Sequence, residues 1–95
     1  MQYMQAIAIA ALKEIRADGS VVEIVVWQVP ESVSASNHSY KYRLYFGKDG
    51  TCRVRYDNER GKGDHKHFGG NEETYLFESL EKLLADFKND VENWS

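Results

Sequence analysis

Tyr40-Lys41-Tyr42-Arg43-Leu44-Tyr45-Phe46-Gly47-Lys48-Asp49-Gly50-Thr51-Cys52-Arg53-Val54-Arg55-Tyr56 decides the fold. On its first arm Tyr40, Tyr42, Leu44 and Phe46 alternate with Lys41, Arg43 and Tyr45, and on its second arm Cys52, Val54 and Tyr56 alternate with Arg53 and Arg55. A period of two means that one face is apolar and the other charged, the signature of a half-buried strand. Lys48-Asp49-Gly50 lies between the arms and supplies the glycine that a short hairpin loop places in the left-handed conformation. With Gly47 facing Thr51, Leu44 would face Val54 and Tyr42 would face Tyr56 on the core side. The charged side would then set Lys41 against Asp57 and Arg43 against Arg55, and two facing arginines are unfavourable without an anion between them.

Upstream, Ala17-Asp18-Gly19 repeats the same turn composition. A hairpin around it pairs Lys13 with Glu23, a favourable match. Val21 to Val29 is apolar at most positions on both faces and predicts an interior strand covered on two sides, ended by Pro30. Residues 2–15 carry the alanine, leucine and methionine content of a helix, but the turn and the charge match favour a strand, which is the expectation here. Glu31 to Ser39 reads as a polar connection in which His38 is solvated.

Downstream, Leu80, Leu83, Leu84, Phe87, Val91 and Trp94 recur at helical spacing, with Ser79 as N-cap and Glu78 four residues before Lys82. Asp86, Asp90 and Glu92 predict an acidic outer face. The expected fold is therefore α+β: one domain over 1–95, an antiparallel sheet of about four to five strands built from two hairpins, and a C-terminal amphipathic helix packed on one face.

Of 95 residues, 42% are hydrophobic and 13% aromatic, enough for a thin core built around large aromatic side chains. A single cysteine, Cys52, excludes an internal disulfide and suggests a reducing, cytoplasmic setting. Cys52 itself reads as a small buried core residue. The apolar run from Ala6 to Leu12 is too short to span a bilayer and no basic residue precedes it, so neither export nor a membrane anchor is expected.

The net charge of -3 is unevenly spread. Between His38 and His67 eight basic residues (Lys41, Arg43, Lys48, Arg53, Arg55, Arg60, Lys62, Lys66) face four acids (Asp49, Asp57, Glu59, Asp64), while the remainder is strongly acidic. One region can attract phosphate while the rest repels it.

Asp57-Asn58-Glu59-Arg60-Gly61-Lys62-Gly63-Asp64-His65-Lys66-His67 contains no large apolar residue. Read as a loop, so long a polar stretch costs ordering entropy without burial to offset it, which points either to function or to a mobile solvated segment. His65 and His67 are two apart, so on extended chain they point the same way and can supply a base and an acid together. Three readings stay open. The histidines could work on a phosphodiester whose oxygens are held by Arg43, Arg55, Arg60 and Lys62. Asp64, His65 and His67 with Asp57 or Glu59 could bind a divalent metal, although His-x-His alone is a weak signal. The histidines could instead close a structural hydrogen-bond network. Gly61-Lys62-Gly63 lacks the ending of a phosphate-binding P-loop. Tyr56 and Tyr75 read as core aromatics with polar tips toward the site.

Trp27-Gln28-Val29-Pro30, Lys41-Tyr42-Arg43-Leu44, the block from Arg55 to His67, and Glu73-x-Tyr75-x-Phe77 form a succession that resembles the TumE family of small bacterial toxins over about residues 17 to 92. The Tyr56 to His65 block is the specific part of that likeness. The resemblance implies a toxin-antitoxin pair with a cognate antitoxin, typically of helix-turn-helix type, and many small toxins of such pairs cut RNA. The expectation is thus a metal-independent endoribonuclease acting without cofactor. Its catalytic set would be His65, His67, Asp64 and Glu59, and its substrate-binding set Arg43, Arg55, Arg60, Lys62, Tyr56 and Asp57. A non-catalytic module that binds nucleic acid or protein, and a metal-dependent hydrolase, are the alternatives. An exposed edge strand could pair with a second copy, giving a homodimer, or receive a segment of the antitoxin.

Overall fold

The computed structural model describes residues 6–30 and 36–94. Six strands, β1 (Ile7–Ile15), β2 (Val21–Gln28), β3 (Tyr40–Lys48), β4 (Thr51–Glu59), β5 (Gly63–Phe68) and β6 (Asn71–Thr74), precede one helix, α1 (Leu80–Glu92). The strands pair in sequence order, each antiparallel to the next. The α+β class and C-terminal helix match expectation, but the sheet has six strands instead of four to five. The extra strands come from the polar stretch after Tyr56, which continues the sheet as β5 and β6 instead of looping through solvent.

Residues 7–15 form a strand, and Lys13 pairs with Glu23 as the charge match anticipates; residues 2–5 of that segment lie outside the described residues. The Asp18 carboxylate accepts from the backbone N–H and hydroxyl of Ser20 at 2.9 and 2.6 Å and closes the first turn. The β3–β4 turn differs from the expected three-residue loop. Lys48 faces Thr51 across a two-residue turn in which Asp49 and Gly50 take φ of 53° and 77°, the geometry of a type I′ hairpin.

A bulge at Phe46/Gly47 then shifts the register: Leu44 faces Tyr56, Phe46 faces Val54, and Arg43 faces Asp57. The expected Arg43–Arg55 clash is therefore absent, and an attractive pair stands in its place. The displacement is two residues, so the apolar side chains keep their face while changing partners.

Val26, Tyr42, Leu44, Phe46, Val54 and Tyr56 form one face of the sheet and close over Leu83 and Phe87 of α1. Ser79 caps the helix by accepting from the Lys82 N–H at 3.1 Å. The helix covers the middle of the sheet and nothing covers its other face among the described residues. Val21, Glu23, Val25 and Trp27 point to that second face, where Trp27 is 41% exposed, so β2 is interior in its hydrogen bonding but covered on one side only. Cys52 pairs with Gly47 beside the bulge and is half-buried, outside the core; burial pushes its thiol up.

Two acids of α1 turn toward the sheet, not outward. Asp86 accepts from Tyr75 Oη and Lys82 Nζ at 2.6 and 2.8 Å, and Asp90 from Tyr56 Oη and Lys66 Nζ at 2.5 and 3.2 Å. Lys82 thus pairs forward with Asp86 in place of the expected Glu78.

Candidate functional site

Register alone arranges the charged face into two rows that run across five strands. The first passes through Glu23, Tyr45, Arg55, His67 and Glu72, the second through Val25, Arg43, Asp57, His65 and Thr74. Side chains directly across an antiparallel pair have Cβ atoms about 4.5–5.5 Å apart, so residues distant in sequence become neighbours.

Where β4, β5 and β6 adjoin, the rows meet in a cluster. The Arg55 guanidinium donates to His67 Nε2 at 2.8 Å and lies 3.3 Å from Asp57 through its Nε. Arginine has no acceptor, so His67 Nε2 carries the lone pair and its hydrogen is on Nδ1. His65 lies between two carboxylates, with Nδ1 2.6 Å from Glu72 Oε2 and Nε2 3.5 Å from Asp57 Oδ1. Glu72 also reaches His67 Nε2 at 3.3 Å and Lys62 Nζ at 3.4 Å.

These contacts are close but poorly aligned. Both ring nitrogens of His65, Asp57 Oδ1 and Arg55 Nε are buried without a hydrogen-bond partner of good angle. All four atoms belong to this one cluster. Leaving a buried polar atom unpaired costs about 1–3 kcal/mol, which marks the patch as unfinished. Desolvation pushes the Glu72 carboxyl up, yet the hydrogen bond and the charge of Lys62 hold it below its usual range.

The structure brings together Arg55, Asp57, His65 and His67 of the expected residues, with Lys62 at the edge through Glu72. Glu59 lies near Asp57 and His65, its carboxylate oxygen within 4.8 Å of theirs. Arg43 is on the same face, one strand away, with its guanidinium over the Tyr45 ring and 4.0 Å from Glu23. Arg60 is exposed in the β4–β5 turn and enters none of these pairs.

Two expected residues belong to the other face. Tyr56 is in the core with its hydroxyl on Asp90, and burial followed by that hydrogen bond pushes its phenol well up. Asp64 accepts from Ser36 Oγ at 2.5 Å, Tyr42 Oη at 2.7 Å and His38 Nε2 at 2.6 Å. His38 is buried there, stacked 3.7 Å from the Phe77 ring, with Nδ1 accepting from the Tyr40 N–H. Both its nitrogens are engaged, so the histidine expected to be solvated closes a structural network. Asn58 joins it by donating to Tyr40 O at 2.7 Å and accepting from the Tyr42 N–H at 3.1 Å.

The reading of the sequence missed Glu72. The signal was present: Gly69-Gly70 is a two-residue hairpin turn, Phe68 faces Asn71, and counting outward sets His67 opposite Glu72.

A family model described as toxin TumE matches residues 6–95. The chain belongs to the TumE toxin family. Membership makes it the toxin of a toxin-antitoxin system and implies an antitoxin partner. No curated protein and no solved structure matches the chain. Among the described residues no helix is long and apolar enough to cross a membrane. The TumE model includes all of the cluster, and with it the β1 segment whose alanine-rich sequence lay outside the resemblance of residues 17 to 92.

Proposed function

We propose that this TumE toxin cleaves RNA by metal-independent acid–base chemistry on the bare face of its sheet. The observation that supports it is the meeting of the Arg55 guanidinium and the His65 and His67 imidazoles in one patch whose buried polar atoms lack partners. Once Arg55 turns from His67 Nε2 to the phosphate, the freed Nε2 lone pair would take the proton of a ribose 2′-hydroxyl as the 2′-oxygen attacks phosphorus. His65 would protonate the departing 5′-oxygen, and the products are a 2′,3′-cyclic phosphate and a 5′-hydroxyl end. Arg55, with Arg43 and Lys62 at the margins, would hold the phosphate oxygens.

His65 lies beneath Glu72 and must be uncovered. Glu72 is 40% exposed, and its pair with Lys62 is a solvent-screened surface contact, so turning aside is inexpensive. Asp57 would then orient His65 from behind. Trp27, Lys41 and Tyr45 extend the same face and offer stacking and charge to neighbouring nucleotides of a single strand. The antitoxin is read as a helix-turn-helix protein, and the free edge of β1 as the place where it, or a second toxin, adds a strand.

The test is incubation of purified toxin with RNA in the presence of a chelator, followed by analysis of the product ends. Wild type should leave cyclic phosphate termini, and His65→Ala or His67→Ala should slow cleavage about 10²- to 10⁴-fold. Intact RNA with wild type, or cleavage by both variants at the wild-type rate, would refute the proposal; salt-sensitive binding without product would establish the binding-module alternative instead.

A further inference from the structure

The β5–β6 hairpin holds three metal-type donors that the acid–base chemistry does not require to be together. His65 and His67 point to the same side of β5, and the Gly69-Gly70 turn brings Glu72 back across from His67. From these positions we infer that His65 Nδ1, His67 Nε2 and Glu72 Oε2 form a binding site for a zinc-class divalent ion.

One donor atom from each of the three residues lies within 4.8 Å of those of the other two, and Glu72 Oε2 is 2.6 Å from His65 Nδ1 and 3.3 Å from His67 Nε2. Bonds of about 2.0–2.1 Å to a tetrahedral ion set neighbouring ligands about 3.3 Å apart, so the donors need only small adjustments. The side chain of His65 is 6% exposed, and both its nitrogens lack a well-aligned hydrogen-bond partner. With no hydrogen bond along either ring-nitrogen axis, the direction in which a lone pair would meet an ion is left open. Asp57 stands behind the other nitrogen at 3.5 Å, the carboxylate that typically orients a metal-bound imidazole. Two imidazoles and one carboxylate select zinc, cobalt or nickel over magnesium and calcium, which prefer all-oxygen sites.

Two cations resist occupancy. Arg55 holds the His67 lone pair and Lys62 holds Glu72. An incoming ion displaces both contacts, and Arg55 retains Asp57. The site is therefore one that fills when the metal is supplied, and its regulatory meaning rests on the proposed ribonuclease reading: an ion on both histidines removes the base and the acid together and silences cleavage.

The experiment titrates metal-free toxin with Co2+, followed by visible absorption, and with Zn2+ against a chromophoric chelator. One equivalent should bind, with the intense visible bands of a low-coordinate cobalt site. Glu72→Gln and His67→Ala should each weaken binding more than about tenfold while circular dichroism stays unchanged. Glu59→Gln should leave binding intact, because it probes the competing trio of Asp57, Glu59 and His65. No saturable binding, or loss of binding in Glu59→Gln but not in Glu72→Gln, overturns the site. The two ideas fail separately. Cleavage that is unaffected by zinc when one equivalent is bound overturns the inhibitory role and leaves the site, and absence of binding leaves the cleavage reading untouched.

Discussion

Asp64 and His65 are consecutive in the chain and serve opposite faces of the sheet. Asp64 accepts hydrogen bonds from Ser36, Tyr42 and His38 beneath the sheet, whereas His65 lies between Asp57 and Glu72 on the bare side. Asp64→Asn should therefore cost about 1–3 kcal/mol in urea unfolding, through the lost charged acceptor, and leave RNA cleavage near wild type below its melting temperature. His65→Ala should show the reverse. A folded Asp64→Asn protein as inactive as His65→Ala would mean that the two faces do not divide the labour in this way.

Arg43 and Arg55 are separated by their contacts. Arg55 touches His67, so Arg55→Ala should lower kcat, while the half-exposed Arg43, held mainly by Tyr45 and Glu23, should raise KM when replaced by alanine. For Arg43→Ala the slope of log affinity against log salt should fall by about one. Identical kinetic signatures for the two variants would contradict their assignment to different steps.

On the helix side, Tyr56 and Asp90 form a buried link between β4 and α1 that Lys66 shares. Tyr56→Phe should destabilise by about 1.5–3 kcal/mol, the range for a hydrogen bond to a charged group. A double-mutant cycle with Asp90→Asn should give a coupling of at least about 0.5 kcal/mol. Strict additivity would show that the two side chains do not act as a pair.

Asp86 supplies a pH signature. Partial burial pushes its carboxyl up, but hydrogen bonds from Lys82 and Tyr75 with the charges of Lys82 and Lys66 hold it below the usual range. The folded state thus binds this proton less readily than the unfolded one. Its stabilisation is complete above the unfolded value, near pH 4, and is lost as pH falls through the lower folded value. Asp86→Asn should flatten that part of the acid limb in melts recorded as a function of pH. An unchanged acid limb would remove Asp86 from the acid response.

The alternation from Tyr40 to Tyr56 made the central hairpin legible, because a period of two needs no tertiary information. The helix stripe from Leu80 to Trp94 was legible for the same reason. The pairing of Arg43 was not, since the two-residue turn and the bulge at Phe46/Gly47 each move the partners by one position, and together by two, which leaves the pattern of faces unaltered. The strands after Tyr56 escaped notice because their inward positions are Asn58, Asp64 and Lys66. Asn58 and Asp64 are buried and Lys66 partly so, each through hydrogen bonds to residues elsewhere in the fold, which a hydrophobic pattern cannot register. His38 was misjudged on the same ground: its partner Asp64 is 26 residues away.

Because every strand pairs only with its immediate successor, each sheet contact closes a short stretch of chain, and early assembly meets little entropic resistance. Yet the apolar floor stays wet until α1, the last element in order, docks over it. Refolding should consequently be quick to form strands and slow to become cooperative, with the final helix acting as the latch that turns a fluctuating ribbon into a rigid toxin.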